Sequence, residues 1–481
     1  MISLTIPLLV ALLVGHVFDR GILLDPGRGL IERCGRALAL GLGLLGTVSM
    51  VCDALGFGVS ATTVGVGTGL LMLSCLIACW RKPGPSASEV QSSASRLAGL
   101  SLGEKAAWLG LLLFAAVGIG LAVRSGWIRQ TFQFDALVRW MFKTKVLALE
   151  GTLLGRISTD PEFAMTHQRY PPMVAHVANL PALVSGVFND RIASAMYPWF
   201  AVALVASTYG AVARRVGLVT GALAAAWIAH LPIVSFVIAP PPGAGAFSAM
   251  ADIPLALFLT GAVLAAADAV DGQRARAHVE AGVMLGFALL TKNEAVPLVA
   301  AMGLALLVAA PRARWRRAFG VCGIGVVVFL VGWGVVSRTL PSLDENYPAQ
   351  LSVDAIVAGF QRLGAILPEL FTQFIDLRTW NVTWPAALAL VVVAGAQVWH
   401  VRGLRLLAVV LLIQLGSYVF AYMITAWSSP AAEVIEASTG GARPVVLTLM
   451  RVTVDRLLVQ IAPAFVAMAL IASPLSLRRS G

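Results

Sequence analysis

This 481-residue chain carries little charge. Only 12% of its residues are charged, 58% are hydrophobic, and the mean hydropathy is +0.85. A soluble protein of this length needs far more charge to cover its surface. The composition therefore excludes a soluble globular protein. It predicts an all-α polytopic membrane protein, because repeated apolar runs of about 17–25 residues are typical of membrane-spanning helices.

Residues that could bind metals or cofactors are also sparse. The five cysteines mostly lie in or beside apolar runs, and the six histidines include no H-x-x-x-H pair, so the sequence predicts no metal cluster. The stretch GLGLLG (Gly41–Gly46) lies inside an apolar run with no strand before it. We interpret it as a site of close helix packing and not as a dinucleotide-binding loop.

Positive charge is in excess, with a formal net charge of +11. We attribute this excess to membrane topology and not to nucleic acid, because cytoplasmic loops collect Lys and Arg. If the N-terminus lies outside, the inside loops hold 20 of the 35 basic residues and 8 of the 24 acidic residues. The short apolar piece 173–188 is predicted to be re-entrant or interfacial, since counting it as a span would move later Arg clusters outside.

About thirteen apolar runs are predicted to span the membrane. The first has no preceding basic region and no clear cleavage site, so we expect it to be retained. The predicted spans lie at about 2–18, 37–52, 60–80, 107–124, 192–213, 217–239, 253–270, 279–291, 296–310, 318–337, 383–399, 406–427 and 457–474. We expect an N-terminal three-helix unit (1–82), a cytoplasmic linker rich in Ser, Ala and Gly (83–105), and a membrane catalytic module (106–481) with outer loops 125–191, 338–382 and 428–456.

The stretch FDALVRWMFKTKVLALEG (Phe134–Gly151) predicts an interfacial amphipathic helix in the first outer loop. Arg139, Lys143 and Lys145 are expected on its polar side. Asp135 stands at its start, where it is either a helix cap or a functional carboxylate. The apolar side is expected to carry Phe134, Leu137, Val138, Met141, Phe142, Val146 and Leu149.

Further polar residues are predicted at the same outer surface. Each alone could be a snorkelling residue or a local ion pair. Together they suit a substrate with a phosphate head and a hydrophobic tail, because cations hold phosphate and a carboxylate takes a proton from a nucleophile. They are His167 and Tyr170 in HQRYPP, Asp252 in ADIPLALFL, Lys292 and Glu294 in LLTKNEAVP, and Arg451, Asp455 and Arg456 in RVTVDRLLVQIAP.

Several motifs in this order resemble those of the GT-C membrane glycosyltransferases, especially bacterial members near the protein O-mannosyltransferases and the lipid A aminoarabinose transferase. The resemblance covers most of residues 107–474. It is carried by the stretch from Phe134 to Gly151, by HQRYPPMVAHVANLPALVSG, ADIPLALFLTGAVLAAA and GVMLGFALLTKNEAVPLVAAMGLALL, and by DRLLVQIAPAFVAMAL.

The resemblance implies inverting transfer of a hexosyl or pentosyl group from a polyprenyl-phosphate donor. The acceptor would be a glycan, lipid or protein of the cell envelope, on the periplasmic side of a bacterial inner membrane. By the family's pattern, Asp135 is the catalytic base, Asp252 is the acidic residue before a later span, and Lys292 is the lysine after LLT. We expect both aspartates to be catalytic residues, with Asp252 orienting the acceptor or the sugar. We expect Glu294, Arg456, Arg451, His167 and Tyr170 to bind substrate with Lys292.

Many GT-C members carry two adjacent acidic residues in the first loop, whereas here Asp135 stands between Phe134 and Ala136. No cofactor is expected, and the need for a divalent metal stays open. Two alternatives remain. A lipid or glycan transporter or flippase would place charges near the bilayer midplane in broken helices. A ligase or polymerase of lipid-linked glycans would share the phosphate-binding groove.

Overall fold

The fold is helical throughout the part of the chain that the computed structural model describes. That part comprises residues 2–23, 29–80, 96–128, 135–235, 249–274, 276–340, 352–424 and 445–473. Every regular element in these ranges is a helix, so the predicted all-α class is confirmed. Phe134, most of the predicted linker 83–105, and parts of the predicted outer loops 125–191, 338–382 and 428–456 lie outside these ranges.

Each of the thirteen predicted spans contains a helix. Nine helical stretches of the described residues are long and apolar enough to cross a membrane, so the polytopic class is confirmed too. The nine are Ile2–Leu23, Leu30–Ala54, Ala61–Ala78, Leu102–Ile128, Asp190–Arg215, Asp252–Asp271, Arg312–Gly334, Arg402–Ile424 and Thr453–Ala472. Five shorter apolar helices accompany them: Met173–Ser185, Leu218–Ala229, Ala277–Thr291, Asn293–Ala309 and Thr383–Ala394.

Five helices carry most of the description below. We name them α1 (Asp252–Asp271), α2 (Ala277–Thr291), α3 (Val296–Ala309), α4 (Trp315–Phe329) and α5 (Val445–Ala472). α1 packs against α2 and α5, and α2 packs against α4. An amphipathic helix, Val353–Phe374, packs against α5 from the second predicted outer loop.

The GLGLLG run packs helices closely together. A Cβ on Gly41 would collide with the carbonyl of Ala11 in the first helix. A Cβ on Gly43 would collide with the ring of Phe287 in α2, and one on Gly46 would crowd Met173. Small residues therefore let three other helices approach this one, as the packing interpretation predicts.

The N-terminal helices also pack on the later part of the chain. Leu30–Ala54 contacts Pro198–Arg215 and Met173–Ser185. At its end, the Asp53 carboxylate accepts hydrogen bonds from the Thr152 hydroxyl (2.5 Å) and the Leu153 amide (3.0 Å). The N-terminal helices thereby hold the chain that follows the amphipathic segment.

A cluster of ion pairs joins the helices at the far end of α1. Its members are buried or half-buried, although the predicted topology puts them in inside loops. α1 rises about 30 Å over its 20 residues, so this end and Asp252 are a hydrocarbon thickness apart. The cluster comprises Arg36, Arg214, Arg215 and Arg274 with Asp19, Glu32, Asp268, Asp271 and Glu280.

The amphipathic segment differs from its prediction in its helix type and in the position of Lys143. It begins with a π-helical turn, Ala136–Met141, and continues as an α-helix, Phe142–Glu150. Lys143 is not on a solvated polar face: it is only 3% exposed and its ammonium donates to the carbonyls of His167 (2.8 Å) and Tyr170 (3.2 Å). Leu137 and Leu149, on the predicted apolar side, are 47% and 69% exposed, as side chains that face lipid would be. Lys143 thus ties the segment to the end of the first outer loop.

Candidate active site

Four helical elements bring the predicted charges together. Asp252 is the first residue of α1, and Lys292 directly follows α2. Arg456 projects from α5, and Asp135 directly precedes the π-helical turn of the amphipathic segment. Asp252 and Lys292 fall at ends of packed helices, and Arg456 falls near the start of the apolar stretch Thr453–Ala472 of α5. Side chains far apart in the sequence can therefore meet there.

Their side chains form a row of alternating charge. Arg456 lies between two carboxylates, with Nη1 2.5 Å from Asp135 Oδ2 and Nε 3.1 Å from Asp252 Oδ2. Lys292 Nζ lies 2.8 Å from Asp252 Oδ1 and 2.6 Å from Glu294 Oε1. We call Asp135, Arg456, Asp252, Lys292 and Glu294 the charge row. Its alternation offsets the desolvation cost of burying these ions.

Burial is deepest in the middle of the charge row. Asp252 is fully buried and Lys292 is 3% exposed, whereas the Asp135 side chain is 17% exposed. Asp252 also accepts a hydrogen bond from the Gln460 amide (2.9 Å), and Gln460 in turn accepts one from the Tyr418 hydroxyl (2.8 Å). The centre of the row is thus fixed and buried, while the side chains at its two ends, Asp135 (17%) and Glu294 (23%), are partly exposed.

Asp135 is not a side-chain cap. It precedes the helical turn, but its carboxylate makes no capping hydrogen bond to the turn's backbone. Its oxygens face cations instead, since Arg139 Nη1 lies 3.5 Å from the same Oδ2 that Arg456 contacts. The geometry therefore favours the functional interpretation over the cap.

Tyr170 joins the other end of the charge row, and His167 lies beside Tyr170. The Tyr170 hydroxyl donates to Glu294 Oε2 at 3.0 Å. The His167 ring packs edge-on against the Tyr170 ring at 5.5 Å, and His167 has a positive φ of 51°. Both residues therefore lie near the row, with Tyr170 in direct contact.

Arg451 is the predicted site residue that the structure does not bring into the row. It pairs with Glu369 at 3.2 Å, and its side chain is 46% exposed. It belongs to the contact between α5 and Val353–Phe374. The cation that α5 supplies to the row is Arg456.

Sequence reasoning missed Arg139 and Gln460 as site residues. Arg139 was assigned to a solvated face, yet its buried Nε has no hydrogen-bond partner among the described residues. Arg456 Nη2 likewise makes no hydrogen bond to a described residue, since only Nε and Nη1 are engaged. Each of the two guanidinium groups beside Asp135 thus has a donor without a hydrogen-bond partner among the described residues. The spacing i, i+4 of Arg139 from Asp135 and of Gln460 from Arg456 was the signal that could have found them.

Asp135 stays ionised in the free protein. Burial alone would raise the pKa of its carboxyl, but the charges of Arg456 and Arg139 outweigh burial and hold the pKa below its ordinary value. If Asp135 is the base, kcat/KM should show no acid limb from this group between about pH 5 and 7.

The Arg456→Gln variant should change the pH at which protonation of Asp135 lowers kcat/KM. It removes the stronger source of positive charge and leaves the burial, so the pKa of Asp135 should rise and the acid limb of kcat/KM should appear at higher pH. The measurement is a pH–rate profile of both proteins. Identical acid limbs would show that Asp135 does not control the rate.

A large cavity runs along the amphipathic segment. It measures about 1010 Å³. Apolar side chains such as Leu137, Phe142 and Phe188 line it together with Lys145 and Arg191. Asp190 lines it as well. Its lining thus starts at Leu137, two residues after Asp135 in the chain, and includes apolar and charged side chains.

The described ranges contain no group of three or more His, Cys, Asp or Glu side chains that could hold a metal ion. Asp135, Asp252 and Glu294 are kept apart by Arg456 and Lys292. The site as described consists of paired carboxylates and cations.

One family matches the chain. The model of the dolichyl-phosphate-mannose-protein mannosyltransferases matches residues 169–336, about a third of the sequence. This range includes Tyr170, Asp252, Lys292 and Glu294. No curated protein matches the chain. The match, on an all-α polytopic membrane protein, supports a GT-C superfamily glycosyltransferase that uses a polyprenyl-phosphate-linked sugar.

Proposed function

We propose that the protein transfers a sugar, with inversion, from a polyprenyl phosphate to an acceptor hydroxyl at the outer membrane surface. The acceptor belongs to the cell envelope, and the membrane is a bacterial inner membrane with the site on its periplasmic side. The observation that carries this proposal is the contact of Arg456 with both Asp135 and Asp252. It puts a phosphate-binding cation 2.5 Å from a carboxylate that can act as a base.

The donor phosphate would bind where guanidinium donors are free. Arg456 Nη2 and Arg139 Nε make no hydrogen bond to described residues and lie beside Asp135. Lys292 is buried between Asp252 and Glu294, so its part is to hold these carboxylates and add positive charge behind the phosphate. Charge-assisted hydrogen bonds from arginine suit a phosphate well.

Donor binding would also activate the base. In the free protein Arg456 and Arg139 lower the pKa of Asp135. A bound phosphate shares those cations, so the pKa of Asp135 should rise toward the range in which a carboxylate accepts a proton more readily. Asp135 then takes the acceptor hydroxyl proton as the oxygen attacks the anomeric carbon and polyprenyl phosphate leaves. A single displacement inverts the anomeric centre.

The acceptor would approach through the 1010 Å³ cavity. This cavity follows the segment that begins at Asp135, and its walls include Leu137, Phe142 and Lys145. Asp252 is fully buried and engaged by Arg456, Lys292 and Gln460, so it orients these groups and does not meet the acceptor.

A transporter without chemistry is the second candidate. It is favoured by buried charge within helices, as at Asp252. Asp252 and Lys292, however, lie at the ends of α1 and α2, and Arg456 lies in the first turn of the apolar stretch Thr453–Ala472, so none of the three is at the middle of a membrane-spanning stretch. A base with adjacent free guanidinium donors is what transfer chemistry needs and transport does not.

Donor binding tests the assignment of the phosphate site. Arg456→Gln should weaken binding of a polyprenyl-phosphate sugar by about 10- to 150-fold, the equivalent of about 1.5–3 kcal/mol for a charged hydrogen bond. Lys292→Ala should weaken it in the same direction. Arg451→Gln is the matched control, because Arg451 lies on the same helix but pairs with Glu369. Unchanged donor affinity in both Arg456→Gln and Lys292→Ala would reject the assignment.

The side of the membrane is tested by cysteine labelling in a background without native cysteines. Glu162 is exposed near the charge row's end of the fold, and Arg312 is exposed at the opposite end. An impermeant maleimide added to intact cells should label Glu162→Cys and miss Arg312→Cys. Labelling of position 312 alone would place the charge row on the cytoplasmic side.

A further inference from the structure

A second, basic cavity lies at the end of the bundle opposite Asp252. It measures about 160 Å³ and opens between the end of α1 and the start of α4. Its basic walls are Arg274, His278, Arg314 and Arg317, and no acidic side chain lines it. We call it the basic cavity.

The arginines of the basic cavity differ in how far their charges are compensated. Arg274 pairs with Asp268 (2.8 Å) and Glu280 (2.5 Å), which approach it from the ion-pair cluster. Arg314 donates from Nη1 to the Val270 carbonyl at 3.0 Å, a neutral partner. Arg317 is exposed and has no ion pair with a described residue. The cavity thus carries uncompensated positive charge from Arg314 and Arg317.

Gly272 allows Arg314 to reach the basic cavity. It ends α1 with a φ of 73°, and a Cβ there would lie 2.9 Å from Arg314 Nη1. Any other residue would be strained and would crowd the guanidinium. The local backbone is therefore compatible with holding this cation in place.

The remaining walls of the basic cavity are apolar. Leu306 comes from the last turn of α3, Ala310 directly follows α3, and Ala318 and Val321 come from α4. Leu306 and Val321 are essentially fully buried. A small basic cavity beside apolar helices, at the edge of the membrane, matches a lipid headgroup better than a free anion.

We propose that the basic cavity binds the phosphate headgroup of an anionic phospholipid from the leaflet opposite the charge row. Arg314 and Arg317 hold the phosphate by charge-assisted hydrogen bonds. The cavity takes only the headgroup, and the acyl chains stay in the bilayer against exposed apolar side chains of α3 such as Leu307 and Val308. This lipid is distinct from the sugar donor, because the two sites are about 30 Å apart along α1.

The test is binding of short-chain phosphatidylglycerol to the purified, delipidated protein, followed by native mass spectrometry and by the lipid's effect on Tm. Arg314→Gln/Arg317→Gln should weaken binding by about tenfold or more. Arg312→Gln/Arg316→Gln is the matched control: it removes two charges from the same basic stretch, but neither residue lines the cavity. Short-chain phosphatidylcholine should bind more weakly than phosphatidylglycerol to the wild-type protein.

Three results would overturn the proposal. Equal loss of phosphatidylglycerol in both double variants would indicate general surface attraction. Equal stabilisation by inorganic phosphate and by phosphatidylglycerol would indicate an anion site without a lipid. If the Arg314→Gln/Arg317→Gln variant does not fold, the affinity for phosphatidylglycerol is measured on Arg317→Gln alone. Unchanged affinity in the Arg317→Gln variant would also overturn the proposal.

Discussion

Asp135→Asn should lower turnover by about 10²–10⁴, the usual contribution of general acid–base catalysis, while the protein still folds. Asparagine keeps the shape of the side chain and can still accept hydrogen bonds from Arg456 and Arg139. It cannot take up the acceptor's proton. The measurement is transfer rate at saturating donor, together with Tm.

Asp160→Asn is the matched control for this variant. Asp160 lies in the same outer loop and also pairs with an arginine, Arg156, at 3.0 Å, but outside the charge row. Its substitution should leave turnover within about twofold, since exposed ion pairs contribute little. A well-folded Asp135→Asn protein with near-normal turnover would remove Asp135 from the mechanism.

Asp252→Ala should destabilise the protein by about 3–5 kcal/mol, because it leaves two buried cations without their shared carboxylate. Lys292 and Arg456 both contact Asp252, which is fully buried. Asp252→Asn should cost less, since its amide oxygen still accepts a hydrogen bond. The measurement is reversible unfolding in mixed micelles, or the change in Tm where unfolding is irreversible.

Asp354→Ala is the control for Asp252→Ala. Asp354 is also an acidic residue in the first turn of a helix, Val353–Phe374, but it is exposed. Its loss should cost well under about 1 kcal/mol, mainly from its interaction with the helix dipole. If Asp252→Ala is no more destabilising than Asp354→Ala, the charge row does not hold these helices together.

Much of this fold follows from hydropathy alone. Runs such as 253–270 and 406–427 are long and apolar, and each is a helix in the structure, Asp252–Asp271 and Arg402–Ile424. The ends of such spans must lie at one of two membrane surfaces. Because of that constraint, the sequence alone assigns residues as distant as Asp135 and Arg456 to a common surface.

The spacing of Arg451 and Arg456 along α5 explains why Arg456 joins the charge row and Arg451 does not. Arg451 and Arg456 are five residues apart on α5, so they point about 140° away from each other. Arg456 therefore faces Asp252 and Arg451 faces Glu369. Gln460 is four residues from Arg456 and points nearly the same way, toward Asp252. Sequence reasoning could not choose between these faces without knowing which neighbour each one meets.

The amphipathic segment was less predictable. Its π-helical turn, Ala136–Met141, adds a residue to the turn and rotates the following side chains by about 100° relative to an ideal α-helix. Lys143 is thereby buried against backbone carbonyls instead of facing water. A regular helical projection of the sequence contains no sign of this shift.

Cleavage of the donor tests the central claim most directly. The purified protein in liposomes is given radiolabelled polyprenyl-phosphate sugar and the membrane acceptor fraction, and free polyprenyl phosphate is measured beside labelled acceptor. We predict that both products form in equal amounts with the wild-type protein and with Asp160→Asn, and at least about a hundredfold more slowly with Asp135→Asn. Movement of intact donor across the bilayer without any polyprenyl phosphate release would contradict the account and indicate a transporter.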